Sequence, residues 1–258
     1  MASVTAGAAV RPRAFVRVAG LDAADYLQRM VSNDVEALEI GGSCEALLLT
    51  VKARVIAPLR VWRRGQDDFL LLTEPELGDV VRAHLTRTRF AARCEIEPEE
   101  HRSLLLVGRE DGGIPNEDYG VPAVEVLDED VTGEQLPDEE LERLRILART
   151  PRWGRELDDR VLPAEAGLTE RAVSFTKGCY PGQEPIARLH YRGHVNRSLR
   201  VLDVEGDVVL PPETEIRLGE KAVGRITSAV RGLALGYVRT DVPEDAELDV
   251  GGQTARLH

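Results

Sequence analysis

The chain has 258 residues, and its 45 acidic and 33 basic residues give a formal net charge of −12 at pH 7. That charge repels polyphosphates, which excludes nucleic acid as a general partner, and no segment approaches the roughly 20 apolar residues that a membrane span needs. Cys44, Cys94 and Cys179 have no short mutual spacing, which argues against a compact zinc or cluster motif and predicts a cytoplasmic protein with no metal site.

The N-terminal half predicts an α+β fold, because strands and helices follow one another without regular alternation. Asp22 is a candidate N-cap for a helix over residues 23–31, and Asp25 follows three residues later as in a capping box. Apolar periodicity predicts further helices near residues 77–85 and 138–148. Strand-like runs lie at residues 44–50, 55–62, 69–73, 92–96 and 103–107.

Charge is distributed unevenly in the second half. Residues 110–142 carry thirteen Asp and Glu and no Lys or Arg, which predicts a solvated connecting region with one short strand at residues 123–126. Residues 171–200, in contrast, hold six basic residues against a single acid, Glu184. This basic segment either attracts an anionic ligand or pairs with the acidic stretch.

The segment KGCYPGQE, residues 177–184, sets one cysteine between a lysine and a predicted helix over residues 183–191. A cationic side chain and a helix N-terminus both favour a thiolate, so the setting suits a reactive Cys179. The alternative is a small buried cysteine at a turn. From residue 196 onward, short strands separated by Gly and Pro turns predict an antiparallel barrel or sandwich.

Longer stretches of the chain resemble the YgfZ family, folate-binding-type relatives of the glycine cleavage T-protein. The motif continues as PIARLHYRGHVNRSLR to Arg200, TPRWGRELDDRVLPAEAGL precedes it, and VAGLDAADYLQRMVSNDVEAL lies near the N-terminus. The resemblance covers nearly the whole chain. It implies a folate-binding body of ring-like subdomains over residues 10–195 and a small antiparallel β-barrel over residues 196–258.

For the site, the resemblance implies that Cys179 is the reactive centre and that the Lys177 ammonium favours its thiolate. Glycines in the motif let the backbone turn tightly around the thiol, and polar residues of the first helical turn order that turn or satisfy free amides. Arg188 is expected to pair with Glu184 four residues earlier. The remaining motif residues of this prediction are Gly178, Tyr180, Gly182, Gln183 and Glu184.

Tetrahydrofolate is the cofactor that the resemblance implies, but two departures from the family pattern make its binding doubtful. Pro58 stands where the T-protein has the aspartate that acts in aminomethyl transfer, and proline has no titratable group for acid–base work. Leu147 stands where the family has a glutamate that hydrogen-bonds the pterin. Losing that charge-assisted bond costs about 1.5 to 3 kcal/mol of binding.

The sequence therefore leaves three functions open. The first is an accessory protein for assembly, maintenance or repair of iron–sulfur clusters, with Cys179 reactive and with client or assembly proteins as partners. The second is a tetrahydrofolate-dependent aminomethyltransferase, against which Pro58 argues. The third is a scaffold whose cysteine is inert.

Overall fold

A computed structural model describes residues 6–131 and 133–258. Within these two ranges no helix is long and apolar enough to cross a membrane. The strands and helices, in chain order, are β1 Gly7–Val10, β2 Ala14–Ala19, α1 Ala23–Met30, β3 Ser43–Leu49, β4 Val55–Gly65, β5 Asp68–Thr73, α2 Gly78–Thr88, β6 Glu95–Glu99, β7 Ser103–Val107, β8 Ile114–Pro115, β9 Ala123–Leu127, α3 Asp138–Leu147, α4 Thr169–Ala172, α5 Gln183–Arg192, β10 Arg197–Val204, β11 Glu215–Leu218, β12 Lys221–Val230, β13 Leu233–Arg239, β14 Leu248–Val250 and β15 Gln253–Leu257.

A five-stranded antiparallel sheet, in the order β3-β4-β5-β2-β6, forms the first part of the body. Helices α1 and α2 bury their apolar sides against one face of it, where Leu27 and Leu85 join a core with Phe69 and Leu71 of β5. The alternate β5 residues Leu70 and Leu72 are buried on the other face. Because β5 is covered on both sides, it has a continuous apolar run rather than the alternating pattern of a half-exposed strand.

The acidic stretch belongs to a second sheet, in the order β1-β7-β9-β8. The prediction of a solvated connecting region is wrong here, because β9 is paired along its length with β7 and Glu125 at its centre is fully buried. Its carboxylate is held by Arg13, Ser103 and Asn116. A buried carboxylate is tolerable when it is paired and hydrogen-bonded in this way.

Six C-terminal strands close into the predicted barrel, in the order β10-β13-β12-β11-β14-β15. One apolar cluster joins the barrel to the body, with Leu199 and Leu235 packed together with Ile146 and Ile186. The Tyr237 hydroxyl crosses the same junction and donates to the Glu156 carbonyl at 2.8 Å. The barrel is therefore docked on the body close to α5, while the exact boundary between residues 195 and 196 stays a prediction.

Most predicted elements agree with the structure to within a few residues, but strands β1, β2, β8 and β14 and the short helix α4 had no prediction. The capping prediction at α1 is wrong. The Asp22 side chain makes no cap hydrogen bond and instead accepts from the backbone and guanidinium of Arg93, and Asp25 pairs with Arg29. Burial of the apolar side of α1 against the sheet positions this helix without a side-chain cap.

Candidate functional site

Cys179 lies exposed in the loop of residues 173–182, which precedes α5 and which we call the motif loop. The other two cysteines are sheltered: burial raises the pKa of Cys44 to about 12 and also raises that of Cys94. A raised pKa keeps a thiol protonated and unreactive at neutral pH. The structure therefore presents Cys179 as the accessible thiol of the described chain, and it contradicts the alternative of a buried turn cysteine.

Lys177 does not direct its ammonium to this thiol. The Nζ atom donates to three backbone carbonyls, those of Gln28, Val31 and Asn33, at 2.5, 2.7 and 2.9 Å. An ammonium has three protons, so all of its donors are used. This corrects the prediction that Lys177 favours the Cys179 thiolate. The lysine instead binds the C-terminal end of α1, where a positive charge is favourable.

Further hydrogen bonds fix the motif loop to the same place. The Ser174 amide donates to the Ser32 carbonyl at 3.0 Å, and the Ser32 hydroxyl donates to the Ala172 carbonyl while accepting from the Leu47 amide. Ser32 is completely buried. Sequence reasoning did not assign Ser32 a role, although it lies in the N-terminal stretch that supported the resemblance. The loop that carries Cys179 is therefore held from its N-terminal side.

Gly182 is the residue at which the motif loop turns into α5. Its φ of +86° is a left-handed conformation, and a Cβ there would lie 2.7 Å from the Thr50 carbonyl oxygen and 3.1 Å from Ala53 Cα. Only glycine fits both requirements, so the predicted tight turn is confirmed here. Gly178 differs, because its φ is not positive and a Cβ would meet nothing within 4 Å. The fold does not require glycine at residue 178.

Tyr180 packs beneath the loop with its ring centroid 5.3 Å from the Lys177 Nζ. Burial raises the pKa of Tyr180 to about 12, and it lowers the pKa of Lys177 to about 8. The buried Tyr180 hydroxyl has no hydrogen-bond partner within the described residues. Both shifts have one cause: the closely packed underside of the loop gives a charged group too little water.

The first turn of α5 differs from the prediction. Neither Gln183 nor Glu184 caps it, since no side chain makes a cap hydrogen bond and Gly182 occupies the N-cap position. Glu184 and Arg188 form no ion pair among the described residues, although their spacing allows one. Both are exposed and line an open cleft of about 1290 Å³. Gly193 follows the last residue of the helix, and its amide donates to the Leu189 carbonyl.

Pro58, which stands where the resemblance has a catalytic aspartate, lines a different and much smaller cavity of about 60 Å³. Small-molecule pockets usually measure about 300–1000 Å³, so this volume holds only a few waters. Leu147, at the position of the family's pterin-binding glutamate, is 40% exposed at the end of α3, and Arg145 rather than Leu147 lines the cavity.

The cavity is small because charged side chains of the protein occupy its walls. Arg171 reaches Glu45 at 2.6 Å and Asp118 at 3.3 Å, and Arg60 bonds to Glu45 at 3.1 Å. Burial raises the pKa of Asp118, but the surrounding arginines outweigh it and hold this pKa at about 2. We call these ion pairs the central network; its members are Arg13, Glu45, Arg60, Asp118, Glu125 and Arg171.

The two positions to which the resemblance assigns chemistry, Pro58 and Cys179, have different surroundings. Pro58 has no acid–base group and lines a cavity of about 60 Å³ walled by paired charged side chains, whereas the motif loop presents the Cys179 thiol to solvent. Within residues 6–131 and 133–258 no group of three or more His, Cys, Asp and Glu side chains is arranged to hold a metal. Of the three cysteine thiols, that of Cys179 is the exposed one.

Comparisons with known proteins agree with this architecture. Residues 197–258 match the family model described as CAF17, C-terminal beta-barrel domain. The chain is 26% identical to the tRNA-modifying protein YgfZ of Cronobacter sakazakii (92% of this chain, 84% of the relative) and 27% identical to that of Serratia proteamaculans (92% and 83%). The crystal structure of glycine cleavage system aminomethyltransferase T from Bartonella henselae superposes with a TM-score of 0.83 at 19% identity, covering 98% of this chain and 85% of that one. The last likeness shows the fold.

Proposed function

Because the chain belongs to the YgfZ family, we propose that it is an accessory protein for assembly, maintenance or repair of iron–sulfur clusters in client enzymes. The observation that carries this proposal is the exposed Cys179 on the anchored motif loop. Its sulfur is available to a partner, while Lys177 and Gly182 keep the loop in one conformation. Lys177 is thus a positioning residue.

Two kinds of step are open to this sulfur. After losing its proton to solvent, it donates an electron pair to an iron atom of the client's cluster, which is the substrate here. Alternatively, the thiolate forms a bond to one sulfur of a client disulfide or persulfide, the client's S–S bond breaks, and the released thiolate takes up a proton. Neither step needs a group inside the cavity at Pro58.

The printed name of the relatives, tRNA-modifying protein, supports a client that modifies tRNA. A net charge of −12 argues that the client rather than this chain makes the main contact with RNA. An aminomethyltransferase activity finds less support, because Pro58 lacks an acid–base group and the adjoining cavity is filled by the central network. We expect the protein to act in the cytoplasm.

The test is to replace Cys179 with serine and ask whether the variant restores the activity of iron–sulfur enzymes in cells that lack the protein. We expect the wild type to restore it and Cys179→Ser to fail. Cys44→Ser is the matched control, because that thiol is sheltered and should be dispensable. Full rescue by Cys179→Ser would remove the sulfur from the mechanism, and turnover of aminomethyl groups by the purified protein would favour the other enzyme class.

A further inference from the structure

The open cleft of about 1290 Å³ lies between α5, the segment of residues 162–171 and the end of α3. Most arginines of the protein have a partner for the guanidinium: in the neighbourhood of the cleft, Arg197 pairs with Glu165 and Arg171 with Glu45. Within the described residues, three arginines make no side-chain hydrogen bond or ion pair. All three line this cleft, and they are Arg149, Arg188 and Arg192.

The three guanidinium groups come from two separate elements. Arg188 and Arg192 are spaced i, i+4 on α5, which brings their side chains to the same side of the helix. Arg149 follows α3 and has a φ of +53°, a left-handed conformation that is unfavourable for a residue with a Cβ. Three guanidinium groups without an ion-pair partner among the described residues therefore face the cleft from two walls, and they outnumber the two carboxylates of the lining.

Three arginines that are unpaired among the described residues favour an anionic ligand, and the other residues that line the cleft indicate its chemical class. The walls between the arginines are aliphatic, with Leu162, Ile186, Leu189 and Leu199, and no Phe, Tyr or Trp lines the cleft. Single-stranded nucleic acid is usually held by stacking successive bases on several aromatic rings. The ring side chains in this lining are His190, which already stacks on Phe175, and His194. Aliphatic walls suit aliphatic side chains instead.

Two carboxylates in the lining, Glu170 and Glu184, make a continuous run of phosphates unfavourable. They leave room for a ligand whose negative groups are separated. The volume also exceeds the usual range of about 300–1000 Å³ for small-molecule pockets. We propose that this cleft, which we call the basic cleft, binds a segment of a partner protein in which Asp or Glu alternates with aliphatic residues.

The inference does not rest on the iron–sulfur role, since no residue of the basic cleft takes part in the proposed chemistry of Cys179. The test measures fluorescence anisotropy of a labelled peptide of repeating Glu-Leu pairs, titrated with the full-length protein at low salt. We expect saturable binding that weakens as salt is added, because the contacts are charged. A matched peptide with Gln in place of Glu should bind much more weakly.

Arg188→Glu with Arg192→Glu should weaken binding about tenfold or more, since attraction becomes repulsion. The control is Arg217→Glu with Lys221→Glu, which makes the same change in net charge on exposed positions of the barrel and should leave binding within about twofold. Arg149→Gly is a second variant whose φ suits glycine, so it should fold normally and still bind less tightly. Cys179→Ser should bind like the wild type, which separates this inference from the proposed function.

Several outcomes would overturn the proposal. The first is that the Glu-Leu peptide fails to show saturable binding. The second is that the Gln-Leu peptide binds equally well, and the third is that the double variant of Arg188 and Arg192 has unchanged affinity. Tighter binding of single-stranded oligothymidylate than of the peptide would also overturn it, because the occupant would then be a nucleic acid.

Discussion

The central network and the motif loop differ in how their buried charged side chains are compensated. In the central network, arginines and carboxylates fill the interior beside Pro58 and neutralise one another. In the motif loop, the single buried cation, Lys177, is bound by carbonyl oxygens, and the thiol beside it in sequence stays in water. The first arrangement narrows a cavity, and the second leaves a thiol exposed to solvent.

The fold matches that of a glycine cleavage system aminomethyltransferase with a TM-score of 0.83, and its interior beside Pro58 is lined by paired charged side chains. Removing one partner of a buried ion pair costs far more than altering an exposed group. The two regions should therefore respond very differently to substitution.

The largest effect is expected for Glu125→Gln in the central network. The change leaves Arg13 buried without its main counter-charge, so the free energy of unfolding should fall by about 3–5 kcal/mol. Denaturant unfolding followed by circular dichroism measures this. Glu129→Gln, an exposed acid, is the control and should change stability by less than about 0.5 kcal/mol. Equal stability of the two variants would mean that the network is not needed.

Low pH tests the same region without mutation. The folded pKa of Asp118 is about 2, below its ordinary value of 3.8, so the unfolded chain binds the proton first. The contribution of Asp118 is complete above about pH 4 and is lost as the pH falls through about 2. Unfolding free energies measured across this range should decrease more in the wild type than in Asp118→Asn. Parallel curves for the two proteins would contradict the prediction.

A smaller effect is expected for Lys177→Met in the motif loop, where three carbonyls lose their donor. We expect a loss of about 2–4 kcal/mol at neutral pH. The folded pKa of Lys177 is lowered from 10.5 to about 8, so the unfolded chain holds the proton over that interval and the wild type gains stability as the pH rises through it. The difference in unfolding free energy between wild type and variant should therefore widen between pH 8 and 10.5.

Lys52→Met, at an exposed position, is the control for that experiment and should show neither effect. A difference that narrows above pH 8 would indicate that the carbonyls favour the ammonium more strongly than burial disfavours it.

The two motif glycines are expected to differ in the stability that each loses on replacement by alanine. Gly182→Ala should cost about 1–3 kcal/mol, because φ is +86° and the new Cβ would meet the Thr50 carbonyl oxygen. Gly178→Ala should change stability by less than about 0.5 kcal/mol, since its Cβ enters open space. Thermal unfolding of the pair distinguishes them. If both alanines cost the same, the loop adopts a different backbone path.

The smallest effect on stability is expected for Cys179→Ser, below about 0.5 kcal/mol, because the side chain is exposed. Alkylation provides the complementary measurement. Brief iodoacetamide treatment of the native wild type should add one group, on Cys179, and the denatured chain should accept three. Rapid native labelling of Cys44 or Cys94 instead would contradict the burial described for them.

Local sequence patterns predicted much of the fold and part of the site. Apolar periodicity indicated α1, α2, α3 and α5, and turn residues separated the barrel strands. The helix after the motif was expected from Pro181 and the spacing that follows, and it begins at Gln183. These features depend on neighbours a few residues apart, which the sequence displays directly.

The errors concern partners that are distant in sequence. Lys177 was assigned to Cys179, two residues away, but its acceptors lie at Gln28, Val31 and Asn33. Glu125 alternates with apolar residues in its strand, which is typical of a solvent-facing position, and only the fold brings Arg13 to it. Composition made the acidic stretch resemble a loop, because charge counts do not reveal where counter-charges lie.

The bond from Lys177 to Val31 spans 146 positions. A chain lacking the first helix would still contain the thiol, but its loop would lose the three carbonyls that bind the lysine. The position of the sulfur thus depends on residues far from it in the sequence.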